Sequence, residues 1–207
     1  MTTPKIVFIN GAPRSGKDTL ADMILGIYFE DKERSLHYLD MEEEGFKNNL
    51  IEAVVGLFGV SWSEWVKRYE SQKDEPWDQL QGKSQREALI WMSEVVAKPT
   101  FGKEFFGAAM VTRLKTHIKA AEECERELII LIPDAGFIPE TMEVVNHFGK
   151  ENCRMINTFR NGTNFDKDSR SLITGKDLDI HGALVTNNGT KKDLYNKAAD
   201  IYKQLIS

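Results

Sequence analysis

The stretch that decides the fold runs from Ile9 to Ile24 and reads INGAPRSGKDTLADMI. Gly11 and Gly16 bracket the turn, and Lys17 follows at once. Upstream, the β-branched and aromatic run KIVFI, bounded by Pro4 and Gly11, has the composition of a short buried strand over Lys5–Asn10. Downstream, Leu20, Met23, Ile24, Ile27 and Tyr28 fall on one face of a helix that starts at Lys17. A glycine-containing turn between strand and helix points successive backbone N–H groups at one anion, and the helix N-terminus adds partial positive charge. The stretch therefore reads as a phosphate-binding loop. Gly11, Ser15, Gly16, Lys17, Asp18 and Thr19 are expected around a polyphosphate, with Lys17 reaching its outer phosphates. Asp18 stands where the strict pattern has Ser or Thr, so Thr19 is left to offer the hydroxyl. Arg14, inside the loop, is placed to meet phosphate oxygens during transfer.

The rest of the chain alternates strand and helix at both ends. ELIILIP (Glu127–Pro133) is a continuous apolar run, as expected of a central parallel strand covered on both faces. CRMINTF (Cys153–Phe159) and ALVTN (Ala183–Asn187) read as further strands, and LHYL (Leu36–Leu39) as a short one followed by an acidic turn, DMEEEG. Helices are expected over Phe46–Phe58, stopped by Gly59, and over about 84–97 and 103–121, with Pro99 and Gly102 as breakers. Another runs over Pro139–Phe148, and a last one carries Leu194, Ala198, Ile201 and Leu205 on its inner face. This pattern predicts an α/β fold, a parallel sheet with a helical region inserted at about 45–121, in one domain spanning 1–207. The polar stretch 160–181 reads as weakly structured and lid-like.

Composition narrows the function. Lys and Arg number 27 against 32 Asp and Glu, a net charge of −5, which argues against a nucleic acid polymer as partner. No stretch approaches the ~20 apolar residues of a membrane helix, so no membrane partner and a cytoplasmic location are expected. Cys124 and Cys153 lack metal-ligand spacing and read as free thiols. His37, His117, His147 and His181 are scattered without metal spacing. Trp62, Trp65, Trp77, Trp91 and Phe46 read as packing residues, with stacking on a base the minority role. Asp134 ends the ELIILIP strand at the tip where ligands bind in open α/β sheets.

The segments GAPRSGKDT, FKNNLIEAVVGLFG, GKSQREALIWMSE, FGKEFF, LIILIPDAGFIPETMEVVNHFG and LVTNNGTKKDLYNKA occur in one order along the chain. Their order and spacing resemble the bacteriophage deoxynucleoside monophosphate kinases, P-loop kinases of the adenylate-kinase superfamily, over nearly the whole length. The most specific parts are the GKDT loop, the Gly82–Glu87 stretch GKSQRE and the Asp134 to Glu140 spacing. The resemblance implies a parallel-sheet P-loop kinase core whose helical insertion holds the acceptor nucleotide. It implies transfer from ATP to a deoxynucleoside monophosphate with Mg²⁺ held largely through water near Asp18 and Thr19, in the cytoplasm of a phage-infected host cell.

Three places depart from the family pattern: Gly136 stands where an Arg is expected, Ser169 and Arg170 where a His/Ser/Glu cluster is common, and Asn188 where an N-D-G turn has Asp. Phosphoryl transfer requires cations from several directions. Lys17, Arg14, Asp134 and Arg160 are the expected catalytic set, and Arg86, Arg113 and Arg170 the expected acceptor-binding set, with Asp40 a further acceptor candidate. Two other readings stay open: another small-molecule P-loop kinase, similar to the animal-type phosphomevalonate kinases, or a catalytically degenerate nucleotide-binding module. A homodimer is left open, as are the base and sugar accepted.

Overall fold

The structure, a computed structural model, describes residues 4–32, 38–166 and 168–207. Five strands form one sheet, β1 (Lys5–Gly11), β2 (Leu39–Glu43), β3 (Glu127–Ile132), β4 (Cys153–Phe159) and β5 (His181–Thr186). Their spatial order is β2-β3-β1-β4-β5 and every pairing is parallel. Strand alternation divides the core into two layers. Ile6 and Phe8 of β1 join Ile130, Ile132 and Met155 on one face, under α6 (Phe105–Glu123) and α7 (Ile138–Phe148). Val7 and Ile9 join Ile129, Leu131 and Ile156 on the other, under α1 (Lys17–Lys32) and α9 (Lys191–Ile206).

A third apolar cluster belongs to the helical insertion. It is built from α2 (Phe46–Phe58), α3 (Trp62–Gln72) and α4 (Gln85–Ile90), with Ile51, Val54, Trp65, Leu80, Leu89 and Met92 at its centre. Trp65 is fully enclosed there, and Trp77 and Trp91 pack against it, so these indoles are core residues, while Trp62 is 51% exposed.

The sequence expectations need four adjustments. The acidic turn DMEEEG is largely strand: Leu39 and Met41 face the core while Asp40 and Glu42 alternate outward, and Leu36 and His37 of the expected LHYL strand lie outside the described residues. Pro99 does not end its helix. The backbone widens into a π-helical stretch over Trp91–Ala97 and continues as α5 (Lys98–Phe101), and the break comes at Gly102, with φ 101°. A widened turn accommodates a proline whose ring would collide with the carbonyl of a regular preceding turn. On α9, Tyr202 rather than Ile201 is fully buried.

The last adjustment concerns the stretch after β4. Its second half belongs to the core, because Ile173 and Leu178 are buried and α8 (Gly175–Leu178) packs beneath α7. The region expected to be lid-like is thereby reduced to the part before Ser171. The two thiols are free, Cys124 exposed and Cys153 buried. No helix among the described residues is long and apolar enough to cross a membrane.

Candidate functional site

The loop after β1 lies at the C-terminal tip of the middle strand, between the tips of β3 and β4, where the chain switches from one side of the sheet to the other. Its first intrahelical bond runs from Leu20 N–H to Gly16 O, 2.9 Å. The amides of Lys17, Asp18 and Thr19 therefore precede the helical ladder and open at the helix N-terminus. Gly16 has φ 94°, and a Cβ there would run into the Asn187 amide. Arg14 holds φ 66°, a left-handed conformation uncommon for a residue with a side chain, and is exposed on the loop's shoulder.

The loop is braced from behind. The Ser15 and Thr158 hydroxyls lie 2.6 Å apart, and Asn187 Nδ2 donates to Ser15 O at 2.9 Å. Ser15 N–H donates to Ala12 O. Ser15 is thus turned inward, its hydroxyl and amide both satisfied by protein, and acts as a strut rather than facing the polyphosphate as expected. Lys17 is only 6% exposed, and its ammonium meets the exposed Asp18 carboxylate at 2.9 Å. Thr19 is exposed beside it.

Next to the loop a cavity of about 180 Å³ opens under the helical insertion. Phe46, Leu50, Leu89, Ile90, Phe106 and Phe137 form its apolar walls. Lys47, Arg86, Asp134, Asp168 and Arg170 supply charge, and Ser93, Glu94 and Glu140 form a second polar group. Of the aromatics considered from sequence, only Phe46 lines it.

Asp134 is 7% exposed and receives the Phe46 N–H at 3.0 Å and the Lys47 N–H at 2.9 Å, one on each carboxylate oxygen. It is the N-terminal cap of α2, which has only Gly45 at its own cap position. The expected contact with metal or acceptor is therefore joined to a structural task that aims α2 at the site. Around Lys47 the carboxylates are dense. Burial pushes Glu43 up to about 7, with Asp22, Asp18 and Asp134 adding to the effect and Lys47 opposing it. Burial, with Asp18 adding to it, also raises Asp22. Burial pulls on the Lys47 ammonium, but the charges of Asp134, Asp18 and Glu43 overcome it and raise its pKa.

In the second polar group Lys98 bridges Glu94 at 2.8 Å and Glu140 at 3.2 Å, and its ammonium sits 3.6 Å from the Phe137 ring centroid. Ser93 donates to Glu94 at 2.9 Å. The Glu140 carboxyl, 4% exposed, is pushed up to about 7 by burial, which outweighs the attraction of Lys98.

The expected arginines fall into separate places. Arg170 lines the cavity and is forked by Asp168, Nε to Oδ1 at 2.9 Å and Nη2 to Oδ2 at 2.7 Å. That fork raises the guanidinium pKa, with burial opposing it and the charges of Asp134 and Asp18 adding to it. Arg86 lines the cavity and pairs with the exposed Asp74 at 2.5 Å. Arg113 does not line the cavity. It is drawn onto Glu44 at 3.0 Å and Glu52 at 2.9 Å, beside His117, which bridges Glu42 and Glu44. Arg160 is exposed at the end of β4, and no ion pair involves it among the described residues. Asp40 is held by Lys32 at 2.9 Å and Arg126 at 3.0 Å, away from the cavity. Arg113 and Asp40 thus lie in local ion-pair networks, and neither lines the cavity.

Sequence reasoning missed Lys47, Tyr69, Lys98, Phe106, Phe137 and Asp168, and also the buried pair Asn10 and Asn157. Asn10 and Asn157 are register partners on β1 and β4. Each sits at a position whose strand parity called for an apolar side chain, and that signal was legible. Among the described residues no group of three or more acidic, histidine or cysteine side chains converges to hold a metal directly. A divalent ion near Asp18 and Thr19 fits only with water and phosphate oxygens completing its shell.

A parallel sheet in this order, a glycine loop between strand and helix at the tip of its middle strand and a helical insertion over the adjacent cavity define an α/β fold. No protein-family model matches the chain, and no curated protein matches it. Among solved structures it is similar to a candidate kinase from Chloroflexus aurantiacus j-10-fl, at 14% identity and TM-score 0.44, over 99% of this chain and 97% of that one. It is also similar to the dephospho-CoA kinase from Campylobacter jejuni, at 9% identity and TM-score 0.44, over 97% and 96%.

Proposed function

We propose that the protein is an ATP-dependent kinase that phosphorylates a deoxynucleoside monophosphate, in the nucleotide metabolism of a phage-infected cell. The observation that carries this reading is the cavity walled by Phe46, Phe106 and Phe137 and lined by the cations Lys47, Arg86 and Arg170, with Asp134 at the tip of β3. The loop amides and Lys17 hold the donor's phosphates. Phe46, Phe106 and Phe137 enclose a planar base, which an acceptor lacking a ring would not need. Arg170 and Arg86 hold the acceptor phosphate, one of whose oxygens attacks the γ-phosphorus of ATP as the bond to the β-phosphate oxygen breaks and ADP departs. Mg²⁺, when bound, neutralises charge on the transferring phosphates. Most of the catalytic effect in such a site comes from holding two phosphates in line and offsetting their negative charge.

The test is ADP release measured by a coupled assay across a panel of nucleoside monophosphates and deoxynucleoside monophosphates. Acceptor-dependent turnover with at least one deoxynucleoside monophosphate is expected. ATP binding without acceptor-dependent turnover would replace this reading with that of a non-catalytic nucleotide-binding module.

A further inference from the structure

We infer that Gly136 is a positioning residue, whose missing side chain is what allows the Arg170 stem to lie across it and hold the guanidinium in the lining of the acceptor cavity. The inference rests on the acceptor reading proposed above for the same site. Gly136 is not among the residues with positive φ, so its backbone does not call for glycine. Space does. A Cβ at this position would lie 2.5 Å from Arg170 Cγ and 2.6 Å from both Cβ and Cδ. These atoms are the stem of the arginine, tied to its backbone, and real Cβ atoms do not approach that closely. The stem lies directly across the glycine.

The backbone of Arg170 cannot yield easily, because its surroundings are tied to the strand tips. Ser171 N–H donates to Gly136 O at 3.1 Å. Asn10 Nδ2 donates to Ser171 O at 3.0 Å, and Asn10 Oδ1 accepts from Ile173 N–H at 3.2 Å. Asn157 Nδ2 donates to Ile173 O at 2.7 Å. Two buried amides, side by side on β1 and β4, thus hold residues 171–173 down and set the height of Arg170 above the sheet. Asp168, whose side chain is 5% exposed, fixes the remaining freedom by gripping both Nε and Nη2. The guanidinium so held lines the cavity together with Lys47, Arg86 and Asp134. A planar fork held on one edge by a carboxylate presents its free N–H groups in a fixed direction. Here the fork stands in the wall of the cavity proposed to hold the acceptor.

The experiment is made on the full chain with Gly136→Ala, Arg170→Gly, the double variant and, as a second route to the same displacement that leaves the packing at Gly136 intact, Asp168→Asn. Gly136→Ala is expected to raise the acceptor KM at least tenfold, while affinity for a fluorescent ATP analogue stays within twofold of the wild type. Asp168→Asn should move the acceptor KM in the same direction. Arg170→Gly removes all three crowding atoms, so adding Gly136→Ala to it should change the KM less than twofold. Independent, additive effects would overturn the inference. A readout that needs no turnover is the rate at which phenylglyoxal modifies Arg170, followed by mass spectrometry of its peptide. Release from the Asp168 fork in Gly136→Ala should raise that rate severalfold, and an unchanged rate would overturn the inference. A raised rate in a protein that turns over no monophosphate would sink the proposed function and leave Gly136 as the residue that places Arg170.

Discussion

Glu140 and Asp40 are both carboxylates in ion pairs, and their surroundings drive them in opposite directions. Burial of Glu140 raises its pKa from 4.5 to about 7, a displacement worth roughly 3 kcal/mol between its two protonation states. A carboxyl raised on folding favours the folded state when protonated. That contribution is complete below pH 4.5 and is lost as the pH rises through about 7. The urea midpoint of Glu140→Gln should therefore lack a fall that the wild type shows across this window, a difference seen by titrating both proteins over the same pH series. Glu43 has the same sign and should leave a residual slope in the variant. Asp40 is partly buried, which opposes ionisation, but hydrogen bonds from Lys32 and Arg126 prevail and lower its pKa below 3.8. Its stabilising effect is present above that value and disappears as the pH falls beneath it, so Asp40→Asn should alter only the acid limb. At the phosphate loop, Lys17→Ala removes a charge contact made to the transferring group. Turnover should drop by about two to three orders of magnitude with the urea midpoint little changed. Equal turnover in variant and wild type would contradict the assignment of Lys17. At this scale the loop residues were legible because a motif is a local string. Lys47 and Asp168 were not, since nothing near them in the chain marks them as facing a cavity.

The elements bring distant residues together through their ends. Helix α2 starts on Gly45, which offers no capping side chain, and Asp134 at the tip of β3 supplies both acceptor oxygens. Asp134→Ala should cost about 1–2 kcal/mol by denaturant unfolding, the range for loss of a cap, and should weaken acceptor binding because α2 carries Phe46 and Lys47. The amide pair on β1 and β4 acts in the same way on the chain after β4. Asn10→Ala leaves the Ile173 N–H and the Ala135 and Ser171 carbonyls without their buried partner, at a cost of roughly 1–3 kcal/mol. Faster amide exchange at Ile173 is the expected signature. Strands and helices were readable from periodicity because burial on one face imposes it. The errors share one cause: β2 carries acidic residues on its outward side, and the helix through Pro99 depends on a widened turn, so in both places local composition pointed away from what the packing imposed.

At the scale of the whole molecule, the helical insertion has its own apolar centre and roofs the cavity beside the sheet. In the proposed reading, acceptor and donor would sit on different parts of the fold, the cavity under the insertion and the loop after β1. The chain after β4 is divided. Residues 171–178 are anchored in the core by Asn10, Asn157 and the packing of Ile173 and Leu178. If the proposed kinase reading holds, closure over bound nucleotides is expected of the part between Arg160 and Arg170. Hydrogen exchange in that part should slow when ATP analogue and acceptor bind together, with residues 171–178 unchanged. Exchange that ignores both ligands would remove the lid from the mechanism.

What this sequence determined by itself was the sheet class, the helical insertion and the phosphate loop, because each rests on short-range spacing: a period of two or near four, and a glycine turn between strand and helix. Only the tertiary structure decided which arginines line the cavity, Arg86 and Arg170, and that Arg113 does not. It also decided that Ser15 turns inward, that Asp134 caps a helix 88 residues away in the chain, and that the empty place at Gly136 is filled by the stem of Arg170. These outcomes depend on which side chains meet across the fold. A linear pattern carries no distance between residues that only packing brings together.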